Sequence, residues 1–386
     1  MSGKHPRALF VQSCSLSESG GGSRILTSMI EGQPFEKLSL NAGTRGGMPL
    51  GWIEEKHLPL RPNLRRLDRG RLARIGYALE VVAEPFFEKR LAREMERWQP
   101  DVVHIIPHWV CDFHVAWKVA RAQGRRVVMS VNDDLSYLLP PFHPLREKAL
   151  RLLSRIWQDA DHVFSISTEL GNEYGSRYGQ RPFEIITDGL AIIPEKPAPA
   201  VPDRLNVYFM GLFHYDYREN LRALTCALAT FQTAHPEIKV GLTMRCETLE
   251  KQIDSAFPAQ VLRFASQDTV LKDMTQADLL YMPLPFGAEY EQFTRFSLST
   301  KMVSYLGSGV PIFFHGPPES AAARLLERHQ AALTCHSLDI SEILAVLKSV
   351  SDEKLRANCV ENALSLARTN FQLEQLRATF RRGLFP

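Results

Sequence analysis

A lysine in the first turn of a helix opposes the helix dipole, yet the stretch Ser297–Phe314, SLSTKMVSYLGSGVPIFF, places Lys301 directly after Ser299 and Thr300, two residues that can cap a helix. A bound anion explains that placement better than helix stability does, because the helix start brings together N–H donors, hydroxyls and one cation, a set that suits a diphosphate. Gly307 and Gly309 close the helix, and Val310-Pro311 opens a buried strand. Near the other end of the chain, Glu18-Ser19-Gly20-Gly21-Gly22-Ser23-Arg24 follows an apolar run and precedes helical spacing. It lacks the third glycine of a dinucleotide fingerprint and the lysine of a Walker loop. What it does have is little side-chain bulk at Gly21 and Gly22 before a helix N-terminus, where free N–H groups favour an anion; the plainer reading is a turn that ends a strand. A third feature is basic: RPNLRRLDRGRLAR, Arg61 to Arg74, holds six arginines against one acid, Asp68, with leucines between them. Arg65, Arg66 and Arg69 at its centre suit phosphate groups of a lipid leaflet or of a lipid-diphosphate acceptor, against the simpler reading of a solvated basic helix.

The elements that must position these residues follow from the apolar pattern. At 386 residues, 45% hydrophobic and 23% charged, the chain reads as a soluble globular protein of two domains, and a formal charge of +3 gives no argument for nucleic acid. The six cysteines form no Cys-x-x-Cys pair, which suits reduced near-core residues in a cytoplasmic chain and offers no metal site. No apolar run approaches the roughly 18 residues of a membrane span. Short apolar or β-branched runs recur between helical segments: ALFVQSC, EKLSL, DVVHII, RVVMSV, HVFSIS and EIIT in the first half, NVYFMG, KVGLTM, VLRFA, LLYMPL, VPIFFHG and AALTC in the second. The pattern predicts parallel strands covered on both faces by helices, an α/β fold of two doubly wound units. PEKPAPAVPDR, with four prolines, is the linker. The predicted layout is an N-terminal domain over 1–194, the linker at 195–204, a second domain over 205–369, and a C-terminal helix from 370 to 386 that packs back across the domains. Ligands of such sheets lie at the carboxyl ends of the strands, so the expected site is the cleft between the two domains.

The run KMVSYLGSGVP, Lys301 to Pro311, resembles the K-L-F-E-Y-L-A-A-G-V-P segment of the family 4 glycosyltransferases, which have the GT-B fold of two facing Rossmann-like domains. The glycine loop, DVVH at Asp101, ADHVFSIS at Ala160, ITDGL at Ile186, VYFMG at Val207 and GPPESAAARLLERHQAALTC at Gly316 are similar to family segments in the same order. The resemblance implies a nucleotide-diphosphate sugar, UDP- or GDP-linked, held by the C-terminal domain as co-substrate. It also implies an acceptor in the N-terminal domain and no metal or other cofactor, because backbone dipoles and basic side chains neutralise the leaving diphosphate. Ser299, Thr300 and Lys301 would then bind the donor, with Gly21, Gly22 and Arg24 on the facing wall.

The sequence departs from the family at several of these places. The family's two glutamates would fall at Phe296 and Ser304, so Ser304 has only a short neutral side chain for the ribose, and the nearest acids for the sugar are Glu289 and Glu291 in GAEYEQF. After Gly211, where the family shows an arginine, stands Leu212, leaving Arg218 as the nearest remaining cation for the diphosphate. On the acceptor side Asn132-Asp133-Asp134 follows RVVMSV, where relatives carry His-Asp; Asp133 can orient or deprotonate an acceptor hydroxyl, or the acids can simply cap a helix. Among the histidines of IIPHWVCDFH, His104 lies within a strand and reads as buried, whereas His108, just past the strand end, is the catalytic candidate.

The expected activity is transfer of a hexose from a nucleotide sugar to a hydroxyl of a glycan or lipid-linked acceptor, with retention and without metal. Polysaccharide biosynthesis is the expected setting, at the cytoplasmic face of a membrane reached through Arg61–Arg74. The alternatives are a nucleotide-sugar 2-epimerase and a degenerate GT-B subunit that binds or scaffolds without catalysis.

Overall fold

Five of the six side chains of RALFVQ are buried, as expected of a strand covered on both faces rather than on one. In the computed structural model this strand, β1 (Arg7–Gln12), lies inside a parallel sheet with β2 (Glu36–Asn41), β3 (Glu54–His57), β4 (Val102–Ile105), β5 (Arg126–Val131), β6 (His162–Ser165) and β7 (Glu184–Ile185), in the order β3-β2-β1-β4-β5-β6-β7. A second parallel sheet contains β8 (Arg204–Met210), β9 (Lys239–Arg245), β10 (Gln260–Leu262), β11 (Leu279–Pro283), β12 (Ile312–His315) and β13 (Leu333–Cys335), in the order β10-β9-β8-β11-β12-β13. The structure describes all residues except 1–4, 19, 44, 64–72, 140–142, 199–202, 213–214 and 247–255.

Each sheet is the centre of one unit: residues Met1–Asp188 with Leu373–Pro386 form the first, and Gly189–Gln372 the second. In the first, Leu9, Phe10, Val103, Val128 and Phe164 are shielded almost completely; full burial of one such side chain stabilises by about 1.5–3 kcal/mol. In the second, Val207, Phe209, Leu224, Leu228, Tyr281 and Phe313 belong to one cluster. Helices cover both sheets, among them Gly21–Ile30, Ala73–Trp98, Val110–Ala122, Arg218–Ala234, Thr300–Leu306, Glu353–Asn370 and Leu373–Leu384.

The sequence pattern predicts six strands per half, and the first sheet has a seventh. β3, EEKH, carries no apolar run because it is an edge strand whose end residues are exposed, so nothing selects hydrophobic side chains there. The last two helices, Glu353–Asn370 and Leu373–Leu384, are separated at Phe371-Gln372, and the helix predicted over 370–386 corresponds to the second of them. The second, Leu373–Leu384, folds onto the first unit, where Phe380 lies 6.3 Å from Phe10, 5.4 Å from His104 and 5.2 Å from Phe164 between ring centroids.

Candidate active site

Both sheets reverse their strand order once, between β1 and β4 and between β8 and β11. At such a switch point the connections leave in opposite directions and open a crevice at the carboxyl ends. In the second unit, β8 ends at Gly211, whose φ of +105° is in the region that favours glycine. A Cβ at Gly211 would also lie 3.3 Å from the Cε of Lys301. The Lys301 ammonium sits 4.0 Å from the ring centroid of Phe209 and 5.2 Å from that of Tyr217, held by their π faces. Among the described residues no carboxylate pairs with it, and burial lowers its pKa to about 7. Its helix is positioned at both ends: the Ser299 hydroxyl accepts from the Lys301 N–H at 3.2 Å, and the Tyr305 hydroxyl accepts from the Met210 N–H at 3.1 Å. Asn220 adds a brace that sequence reasoning missed, its buried amide donating to the carbonyls of Leu284 at 2.9 Å and His315 at 3.0 Å. It thereby ties the start of the helix Arg218–Ala234 to the ends of β11 and β12.

The other residues expected at the donor differ in what they have free. Thr300 is half-buried, and its carbonyl accepts from the Ser304 hydroxyl at 3.3 Å. Ser304 is itself buried, and its hydroxyl donates within its own helix. Arg218 is half-buried at the first position of its helix, directly after Tyr217. Glu289 and Glu291 are exposed in the segment after β11, on the other side of the switch point from Gly211. Phe296, at the place of the missing glutamate, is a buried core residue.

In the first unit the crevice gathers the loops after β1, β4 and β5. His108 is exposed just past β4, and its positive form would lower the pKa of both Asp112 and Asp133. Asp133 has its carboxyl set among protein atoms although the residue reaches solvent, and that desolvation raises its pKa; His108 opposes the shift and Asp134 adds to it. Asp134 is the helix cap: it accepts from the Ser136 N–H at 2.9 Å and pairs with Arg177 at 2.9 Å, leaving Asp133 as the acid of the two that is free for chemistry. His104 is buried against Phe10 and Phe380, shares a hydrogen bond of 2.7 Å with the Ser130 hydroxyl, and has its pKa pushed down to about 3 by burial.

Asp112 was not singled out from the sequence. It is buried, accepts a hydrogen bond from the Ser13 hydroxyl, and has its pKa raised by burial against the pull of Arg61 and Ser13. Its only signal in the sequence is an acid in the first turn of a helix that follows a buried strand.

The glycine loop behaves as a helix start: Gly20 is the N-cap, no side chain caps it, and Gly21 and Gly22 open the helix. A Cβ on Gly22 would point at the Asn132 amide, 3.9 Å away, beside the end of β5. Arg24 has a partner within its own unit. Its Nε lies 2.8 Å from a carboxylate oxygen of Asp188, 2% exposed in ITDGL, so a buried acid from the end of the unit already balances its charge. The first arginine of the basic run is likewise turned inward: Arg61 lies 4.3 Å above the Trp109 ring and 3.8 Å from Glu80, which also accepts from the Trp109 indole N–H at 3.0 Å. Arg65, Arg66 and Arg69 lie outside the described residues. Among the described residues no group of three or more His, Cys, Asp or Glu side chains gathers as a metal site.

The model of the family described as Glycosyltransferase Family 4 matches residues 51–191. Solved structures match along nearly the whole chain. A sucrose-phosphate synthase from Thermosynechococcus elongatus is 12% identical, with 98% of each chain covered and a TM-score of 0.66. Alr3699/HepE of Anabaena, in complex with UDP, is 14% identical over 98% of this chain and 99% of that one, with a TM-score of 0.65. An alpha,alpha-trehalose-phosphate synthase (UDP-forming) from Burkholderia vietnamiensis is 12% identical over 99% of each chain, with a TM-score of 0.64. No curated protein sequence matches the chain. At such identities the structures establish the fold, two Rossmann-like units of the GT-B type, and within it residues 51–191 are similar to Glycosyltransferase Family 4.

Proposed function

We propose that the protein transfers a hexosyl group from a UDP-sugar to a hydroxyl of a glycan or lipid-linked acceptor, with retention and without a metal ion. The observation that carries this reading is Lys301, a half-buried lysine whose ammonium lies over two aromatic rings with no carboxylate partner among the described residues, beside a glycine at the switch point of its sheet. A cation so placed is costly to bury unless a ligand compensates it, and a diphosphate at the end of β8 would do so. Gly211 leaves room for the phosphates to approach the backbone, and Arg218 would add a second charge.

In the reaction the bond from the anomeric carbon to the diphosphate oxygen breaks, and a bond to the acceptor oxygen forms. The electron pair leaves on the diphosphate, where Lys301 and Arg218 neutralise it in place of a metal ion. Asp133, whose raised pKa makes it a better base than a solvated carboxylate, takes the acceptor proton, and His108 orients the acceptor beside it. Glu289 and Glu291 stand for the missing family glutamate near the sugar. The UDP complexes among the similar structures support uridine diphosphate as the leaving group.

Calorimetric titration of UDP into the wild type and into Lys301→Ala tests the site. Loss of about tenfold to a hundredfold in affinity is expected for the removed charge-assisted contact; equal affinities would remove Lys301 from the donor site. Release of UDP from UDP-sugars with a glycan or lipid-linked acceptor then separates lasting transfer from epimerisation.

A second reading, a GT-B subunit that binds without catalysis, is favoured by one specific set of facts. Phe296 and Ser304 replace the family glutamates and are both buried, and Arg24 is already balanced by Asp188. UDP binding without turnover on any UDP-sugar would support it over transfer.

A further inference from the structure

The helix Ala73–Trp98 distributes its side chains against the usual rule. Glu80 and Glu84 are buried, satisfied by the Trp109 indole and by His114 and Lys148, and Glu88 on the same side is bound to Lys118. Ile75, Leu79, Val82 and Phe86 face outward, exposed by 54, 45, 76 and 64%. At 3.6 residues per turn these four fall within an arc of about 60°. Continued toward the C-terminus, Arg93 falls on the same arc and Lys89 and Arg90 flank it by about 20° on either side, all three exposed, and this widened face holds no acid between Ile75 and Arg93. One face of this helix is therefore apolar for its first turns and cationic for the next, while Glu80, Glu84 and Glu88 lie on the opposite side.

Four exposed large apolar side chains in one stripe are covered by none of the described residues. The charges that continue the stripe select what covers it. A protein partner can carry any pattern of charge, but a bilayer of anionic lipid meets an apolar stripe with acyl chains and the cations behind it with phosphates. No helix among the described residues is long and apolar enough to cross a membrane, so this face would lie on the surface rather than span it. We infer that Ile75, Leu79, Val82 and Phe86 insert into the headgroup layer of an anionic membrane while Lys89, Arg90 and Arg93 rest on its phosphates. The inference deepens the reading of a lipid-linked acceptor, but its test needs neither donor nor acceptor, so docking and sugar transfer can fail separately.

The whole chain is sedimented with vesicles of phosphatidylcholine, with and without phosphatidylglycerol, at low and high salt. Binding is expected only with phosphatidylglycerol and is expected to weaken with salt. The double variant Val82→Ser, Phe86→Ser should lower partitioning at least about tenfold while leaving the melting temperature unchanged, because both side chains are exposed. The triple variant Lys89→Glu, Arg90→Glu, Arg93→Glu should abolish the dependence on phosphatidylglycerol. Equal binding to both vesicle types overturns the inference, as does binding that neither variant alters. A fall in the melting temperature of the double variant would show that the chain's own segment 64–72 covers the stripe. A dimer in sedimentation velocity that the double variant dissociates would show a second copy there; either result overturns membrane docking.

Discussion

In the proposed donor site, Lys301 would couple donor binding to protons. Free in its site, it titrates near 7 because burial disfavours the charged form, whereas a bound diphosphate favours that form and raises its pKa. Below about pH 7 the ammonium is already present, and a donor meets it without proton uptake. Above that value binding must bring a proton in, so UDP affinity is expected to fall by up to about tenfold per pH unit from pH 7 upward. Titrations at pH 7, 8 and 9 in two buffers of different ionisation heat would measure that uptake, and Lys301→Met should flatten the profile. The same residue shows how far single positions can be read from the sequence. Lys301 stands out because its placement conflicts with the helix dipole, a purely local contradiction. Asp112 and Asp188 carry no such mark: their partners, Ser13 and Arg24, come from far away in the chain, and burial of a carboxylate is decided only by packing. The burial of Ser304 was equally unmarked, since its hydroxyl has an acceptor one turn back in its own helix.

Among the elements, the terminal helix Leu373–Leu384 has the closest fit. A Cβ added at Gly383 would lie 2.2 Å from Phe164 and 2.7 Å from the His162 ring, so the helix approaches β6 through the space glycine leaves. Gly383→Ala is expected to destabilise the first unit by about 1–3 kcal/mol through overpacking, measured by urea denaturation, with UDP binding by the second unit unchanged. Loss of UDP binding together with the stability would show that the two units do not respond separately. The strands were legible because a doubly covered parallel strand must be a near-continuous apolar run, and twelve such runs coincide with twelve of the thirteen strands. β3 was not, because an edge strand with exposed ends has no need of one. Which unit the last helix joins was not legible either: Phe380 and Leu384 mark an apolar face, but nothing local says that Phe10 and Phe164 are what it meets.

For the whole molecule, the chain leaves the first unit at Asp188 and returns to it at Leu373. Deleting Leu373–Pro386 would uncover Phe10, His104 and Phe164, and the loss of Phe380 alone removes contacts whose deletion typically costs about 3–5 kcal/mol. The truncated chain is expected to lose the cooperative unfolding of the first unit in calorimetry while the second keeps its own transition. Two transitions left at their original temperatures would show that the helix is dispensable.

That return has a consequence in time as well as in space. The strands of the first sheet are complete long before the helix that covers Phe10 and Phe164 exists, because 184 residues, Gly189–Gln372, must be made in between. At about 5–20 residues per second a ribosome needs roughly 10–40 s for that stretch. Throughout that interval a nascent chain holds an aromatic face open to solvent. Factors that shield hydrophobic surface during translation are therefore expected to raise its yield, and slowing the ribosome within the second unit should raise aggregation more than slowing it within the first.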